Sequence, residues 1–78
     1  MISAVQCKMA RVALGWRAKD LAAAARIGVA TVNRFEAEQA EPHAVTVDAI
    51  QRALEATGVE FLPEGGVRLR KQPAEATG

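Results

Sequence analysis

Residues 17–36, RAKDLAAAARIGVATVNRFE, decide how the rest of the chain is read. Two short helical patterns meet in this stretch. Leu21, Ala22 and Ala25 recur on one face of 18–25, and Val32 and Phe35 share a face of the segment that follows Gly28. Spacings of three and four residues stack side chains on one side of an α-helix. Only Arg26, Ile27 and Gly28 separate the two patterns, so the junction is tight. The register of the second helix, roughly 29–37 with Gly28 at its cap, follows from charge. Burying Val32 and Phe35 turns Val29, Ala30, Asn33 and Arg34 outward. A shift of two residues would instead bury Arg34 without a partner, at a cost of roughly several kcal/mol.

Working outward, the segment before this pair reads as a helix that starts at Ser3. The Ser3 hydroxyl and the Gln6 side chain have the spacing of a capping box. Cys7, Ala10 and Leu14 then recur at helical spacing, Met9 and Val12 partly cover the adjacent positions, and Gly15 offers a stop. Trp16 plugs the corner before the second helix, as a core residue rather than a base-stacking platform, because one isolated indole is not such a platform. After the pair, EQAEPHAVT (38–46) reads as a loop marked by Pro42. Thr46 is the expected cap of a fourth helix built on Val47, Ile50, Ala53 and Leu54 and ended by Gly58. Val59 to Leu62 and Val67 to Arg70 alternate in character around PEGG, the pattern of a β-hairpin. A hairpin alone is marginal in water and needs a helix face or a second chain over it. The domain plan is therefore 1–58 helical, 59–71 hairpin and 72–78 a disordered tail. Two helices joined at a tight turn are the outline of a helix-turn-helix, whose second helix can enter the DNA major groove.

Composition narrows the function classes. The chain of 78 residues suits one domain with a small core. Many of its apolar residues are alanine, and Trp16, Phe35 and Phe61 are its only aromatics, which favours closely packed short helices over a sheet protein. One cysteine, Cys7, cannot form an internal disulfide, and Cys7 with the single His43 cannot build a zinc site. Ser3, Cys7 and His43 form no recognisable arrangement of nucleophile, base and orienting group, so no enzyme, catalytic residue, metal or cofactor is expected. No apolar run is long enough for a signal peptide or membrane span, and a soluble cytoplasmic protein is expected.

A formal net charge of +1 conceals an asymmetry along the chain. Residues 1–35 carry Lys8, Arg11, Arg17, Lys19, Arg26 and Arg34 against Asp20 alone, a balance of +5. Residues 36–64 set Arg52 against Glu36, Glu38, Glu41, Asp48, Glu55, Glu60 and Glu64, a balance of −6. A nucleic-acid partner would therefore meet the first half. Arg17 and Lys19 open the second helix, where exposed amides add partial positive charge beside phosphates.

From Gln6 to Leu54 the chain resembles the phage-repressor-like (XRE/Cro) helix-turn-helix family, on QCKMARVALGW, DLA, TVNRFE and TVDAIQRAL at their joint spacing. The resemblance implies a mainly α, compact, four-helix lambda-repressor-like domain, to which this chain adds a short C-terminal β-hairpin. It implies that the third helix reads base edges and that the protein works as a dimer on paired half-sites. Base contacts then fall to Val29, Ala30, Thr31, Asn33 and Arg34, and phosphate contacts to Arg17, Lys19 and Arg26. For Thr31 a phosphate contact is an equal alternative. The family commonly pairs the residues matching Arg11 and Glu36, which implies a structural salt bridge here. It usually has glycine where Arg26 stands, in a left-handed turn position, and Ser or Thr followed by Gln where Arg17 and Ala18 stand.

The expected function is a sequence-specific DNA-binding transcriptional regulator, a small homodimeric repressor or activator on double-stranded DNA, associated with the nucleoid. RNA polymerase or a regulatory protein is a further expected partner. Val59, Phe61, Val67 and Leu69 are the expected dimerisation set; Arg68, Arg70 and Lys71 acting as a basic arm on phosphates is the alternative for that region. The alternative function is an antitoxin or antiactivator-type protein-interaction module on a helix-turn-helix scaffold, which the apolar Val29 and Ala30 favour.

Overall fold

In the computed structural model, which describes residues 2–39 and 43–70, helix α1 (Ala4–Ala13) begins at a complete capping box. The Ser3 hydroxyl accepts from the Gln6 amide at 3.1 Å, and Gln6 Oε1 accepts from the Ser3 amide at 2.9 Å. Gly15 sits just past the helix in the left-handed region (φ +72°), where a Cβ would be strained. Helices α2 (Ala18–Ala25) and α3 (Val29–Glu36) follow, within one residue of the expected bounds. Helix α4 spans Ala44–Glu55 and closes the helical part.

The start of α4 differs from expectation. His43, not Thr46, is the N-cap, and the Val47 amide already donates to the His43 carbonyl at 3.1 Å. No side chain caps this end. A hydroxyl cap contributes about 0.5–2 kcal/mol, which the extra turn of backbone bonds through the strong helix former Ala44 outweighs. The loop expected over 38–46 is shortened accordingly; its residues 40–42, and the tail expected over 72–78, lie outside the described residues.

Strands β1 (Val59–Phe61) and β2 (Val67–Leu69) pair antiparallel, with Val59 opposite Leu69, Glu60 opposite Arg68 and Phe61 opposite Val67. Each expected strand is one residue longer than the observed one, although Leu62 and Arg70 still donate to the Gly66 and Gly58 carbonyls at 2.9 and 2.8 Å. The alternation puts all four apolar side chains on one face. That face finds its cover within the chain, since α1 packs on β2 and α4 on β1. Val59 is 3 % exposed and belongs to the core, and Phe61 and Val67 pack against it. Of the four residues of the expected dimerisation set, Leu69 is 49 % exposed, Phe61 and Val67 are half-buried and Val59 is buried.

One side chain fastens the hairpin. The buried Gln6 amide donates through Nε2 to the carbonyls of Leu62 and Gly66 at 3.2 and 3.1 Å, so the residue that caps α1 also holds the hairpin turn. The core lies between the helices, with Cys7 and Ala10 from α1, Leu21 and Ala22 from α2, Val32 and Phe35 from α3, and Val47, Ile50 and Leu54 from α4. On the opposite face of α1, Val5 and Val12 are exposed and Met9 is 37 % exposed. Val12, 60 % exposed, therefore does not partly cover an adjacent position as the sequence suggested. Among the described residues the architecture is mainly helical, four helices and one antiparallel hairpin, as the sequence implies.

Candidate nucleic-acid interface

The candidate interface comprises α2, the turn after it and α3. Arg17 stands at the N-cap of α2, where a guanidinium has no acceptor to offer a free amide. Asp20 supplies the missing contact in the other direction: its Oδ2 accepts from the Arg17 amide at 2.7 Å. This leaves the Arg17 side chain exposed for another partner, with exposed Lys19 in the same turn. Sequence reasoning passed over Asp20; its place three residues after the cap was the available signal.

Arg26 ends α2 in the left-handed conformation (φ 59°, ψ 46°) that the resemblance implies for a glycine. The turn is not distorted to spare it. The Arg26 and Ile27 amides donate to the Ala23 and Ala22 carbonyls at 3.3 and 3.0 Å, closing the helix end, while Ile27 packs against the core. A non-glycine residue there costs roughly 1–2 kcal/mol. The Arg26 side chain is exposed.

Helix α3 buries Val32 and Phe35 and presents Val29, Ala30, Asn33 and Arg34 to solvent. Thr31 is half-buried. The other four base-contact candidates therefore share one outer face, and Arg17 and Lys19 at the start of α2 and Arg26 at its end border the helix pair.

Electrostatics set this surface apart. Arg11, Arg52 and Arg68 are each held by a carboxylate, those of Glu36, Asp48 and Glu60, at 2.8, 2.9 and 2.7 Å. Among the described residues no acid pairs with Arg17, Lys19, Arg26 or Arg34, nor with Lys8 on α1 or Arg70 after β2, so four of the six bases whose charge is available to a polyanion lie on this surface.

The helix pair is braced from behind. Arg11 Nε and Nη2 donate to Glu36 Oε2 and Oε1 at 2.8 and 3.0 Å, and Nη1 donates to the Trp16 carbonyl at 2.9 Å. One guanidinium thus joins the C-terminal end of α3 to the turn that leads into Arg17. The carboxylate raises the Arg11 pKa above its ordinary value, chiefly through the hydrogen bond. The buried Cys7 thiol lies 3.4 Å from Glu36 Oε2 as a donor. Burial, reinforced by the Glu36 charge, pushes its pKa up to about 12, so it stays a protonated core residue and not a nucleophile. Neither the thiol contact nor the Trp16 contact was legible in the sequence.

Among the described residues no group of three His, Cys, Asp or Glu could hold a metal ion, and no helix is long and apolar enough to cross a membrane. A family model described as helix-turn-helix matches residues 8–62. The chain belongs to the phage-repressor-like (XRE/Cro) helix-turn-helix family. No curated protein matches it. The family match runs on past α4 through β1, beyond the Gln6–Leu54 stretch that carries the resemblance by eye. Membership in this helix-turn-helix family makes the chain a DNA-binding regulator in general terms, and such regulators are generally not enzymes.

Proposed function

We propose that the chain is a sequence-specific transcriptional regulator that lays α3 in the DNA major groove and acts as a homodimer, most simply as a steric repressor. The observation that carries this reading is where the unpaired bases fall: of the six bases without a salt bridge among the described residues, Arg17, Lys19, Arg26 and Arg34 lie on α2, its closing turn and α3, while Lys8 and Arg70 lie elsewhere. In this arrangement Arg17, Lys19 and Arg26 hold phosphates and fix the register of α3, which carries no sequence information by itself. Val29, Ala30, Asn33 and Arg34 read base edges, with Arg34 suited to guanine and Asn33 to adenine, and Thr31 lies at the groove wall. Arg11 and Glu36 keep α3 in place. The free strand edges of the hairpin and exposed Leu69 are the parts of the dimerisation set left for a second copy. Such a regulator works on the nucleoid, and contact with RNA polymerase would convert it to an activator. Selection of bound fragments from random duplex DNA by the purified full chain, followed by footprinting, tests the reading. A two-fold symmetric motif is the expected product, and recovery of unrelated fragments would contradict it.

A second reading, an antitoxin or antiactivator-type module that binds a protein, draws support from the exposed row Val5, Met9 and Val12 along α1 and the groove of about 600 Å³ beside it. Met9→Glu separates the two: loss of DNA binding is expected from neither reading, but loss of regulation with DNA binding intact favours the second.

A further inference from the structure

Among the described residues, the exposed large apolar side chains are Val5, Met9 and Val12 on α1, Val29 on α3, Val45 on α4 and Leu69 on β2. The three on α1 stand at i, i+4 and i+7 and so share one face. They line a groove of about 600 Å³ that Lys8 and Glu36 also border. Lys8 is exposed and has no carboxylate partner among the described residues, whereas both Glu36 oxygens already accept from Arg11. An apolar row with one unpaired cation in it fits an apolar knob that has a carboxylate about one helical turn away.

The chain itself carries such a knob. Val45, 81 % exposed, is the most exposed of these side chains, and Asp48 stands one turn on, on the same face of α4 as Ala49 and Arg52. The other exposed apolar side chains outside α1 have the wrong charge beside them: Val29 lies on the surface that carries Arg17, Lys19, Arg26 and Arg34, and Leu69 stands between Arg68 and Arg70. We propose that α4 of one copy of the chain seats Val45 in the α1 groove of a second copy, with Asp48 on the second copy's Lys8. Asp48 already accepts from Arg52 at 2.9 Å, but a carboxylate has acceptor sites to spare, and that exposed pair is weak enough to rearrange. Arg26 and Arg52 border the same ridge, so Asp48 is the one acid on it that can meet Lys8. Groove and ridge are different patches, which makes the contact heterologous: a copy engaged through its α4 keeps its α1 groove for another, and a two-fold pair can form the contact twice. This contact goes beyond the homodimer proposed above, because it uses neither the hairpin edges nor the face of α3. It buries less than about 1,200 Å², the low end for specific contacts, so the association is weak and reversible.

Sedimentation equilibrium of the full chain without DNA, at concentrations up to about 1 mM, tests the contact with a charge swap. Wild type is expected to self-associate, and Lys8→Glu and Asp48→Lys are each expected to weaken the association at least about five-fold. Both side chains are exposed, so the fold is retained, which an unchanged thermal midpoint checks. Mixing the two variants in equal amounts is the decisive step. The mixture holds one native pair, Lys8 with Asp48, and one pair with its charges exchanged, so association is expected to return to wild-type strength. Contact through the hairpin edges would respond to none of these changes. A chain that does not self-associate, variants that associate as wild type does, or a mixture no stronger than either variant alone would overturn the inference. Association as expected in a chain that selects no DNA would overturn the DNA-binding reading and leave this contact standing.

Discussion

Two arginine–glutamate pairs of nearly equal length do different work in this molecule. Arg11 and Glu36 join at 2.8 Å with side chains 15 % and 10 % exposed, whereas Arg68 and Glu60 join at 2.7 Å with side chains 62 % and 40 % exposed. Distance does not distinguish them; surroundings do. Water screens the hairpin pair and competes for its hydrogen bonds, so its net contribution is small. The pair behind α3 has little water to fall back on. Removing either partner there strands a charge, although the intact pair itself adds little over an apolar contact of equal shape. The buried pair therefore fixes where α3 sits, and the exposed one decorates a sheet that Gln6 and the core already hold.

The largest break in this comparison is expected from Glu36→Ala, which leaves Arg11 buried without its carboxylate and costs about 3–5 kcal/mol. Thermal unfolding should show a midpoint lower by more than about 10 °C, on the scale of a domain this small. An unchanged midpoint would remove the brace from the account.

Next comes alkaline pH, which acts on the same cluster through Cys7. The folded pKa, about 12, lies above the ordinary value of 9.0. The unfolded chain therefore loses this proton first, and the stabilisation is present below pH 9 and lost as pH rises toward 12. The slope attributable to Cys7 approaches about 1.4 kcal/mol per pH unit within that window. Denaturant unfolding of wild type and Cys7→Ala at matched pH isolates it, because the variant should lack that part of the decline.

A smaller effect sharpens the role of the turn. Arg26→Gly relieves the left-handed strain but frees the unfolded chain, so folding should gain about 1 kcal/mol or less. DNA affinity should fall in the same variant through the lost phosphate contact. A stability gain with unchanged affinity would separate Arg26 from the interface. The smallest effect belongs to Glu60→Ala. The hydrogen bond from Arg68 holds the Glu60 carboxyl below its usual range, so this contribution is present above the ordinary carboxylate value and fades as pH falls through the lowered one. At neutral pH no measurable change in the thermal midpoint is expected, because both side chains are exposed.

Local signals made much of the fold legible. Ser3 with Gln6 marked the start of α1, Gly15 its end, and the stripes of α2 and α3 set which faces are buried. PEGG gave the hairpin, and the glycine-like position of Arg26 came from the family resemblance and is met in the backbone. What escaped depends on contacts distant in sequence or on competition between weak terms. Gln6 reaches Leu62 and Gly66 across most of the chain, and no local pattern announces that its amide serves two ends. Thr46 has the chemistry of a cap, yet backbone bonds through Ala44 carry the helix past it. The hairpin's need for a helix face or a second chain was legible, but not which helices return to cover it. On the interface, the outward register of Asn33 and Arg34 was legible from the stripe, whereas the neutralisation of Arg68 and Arg52 became visible only with their partners in place.

The most direct measurement follows from that last contrast: affinity for a selected operator against salt concentration, for wild type, Arg34→Ala and Arg68→Ala. Arg34→Ala is expected to weaken specific binding at least about five-fold, the loss for a base-reading arginine being about 1–3 kcal/mol. Arg68→Ala is expected to leave both the affinity and the salt slope unchanged, since its charge is already paired with Glu60. Full affinity in Arg34→Ala, with the loss appearing in Arg68→Ala instead, would place the DNA on the hairpin and contradict the account.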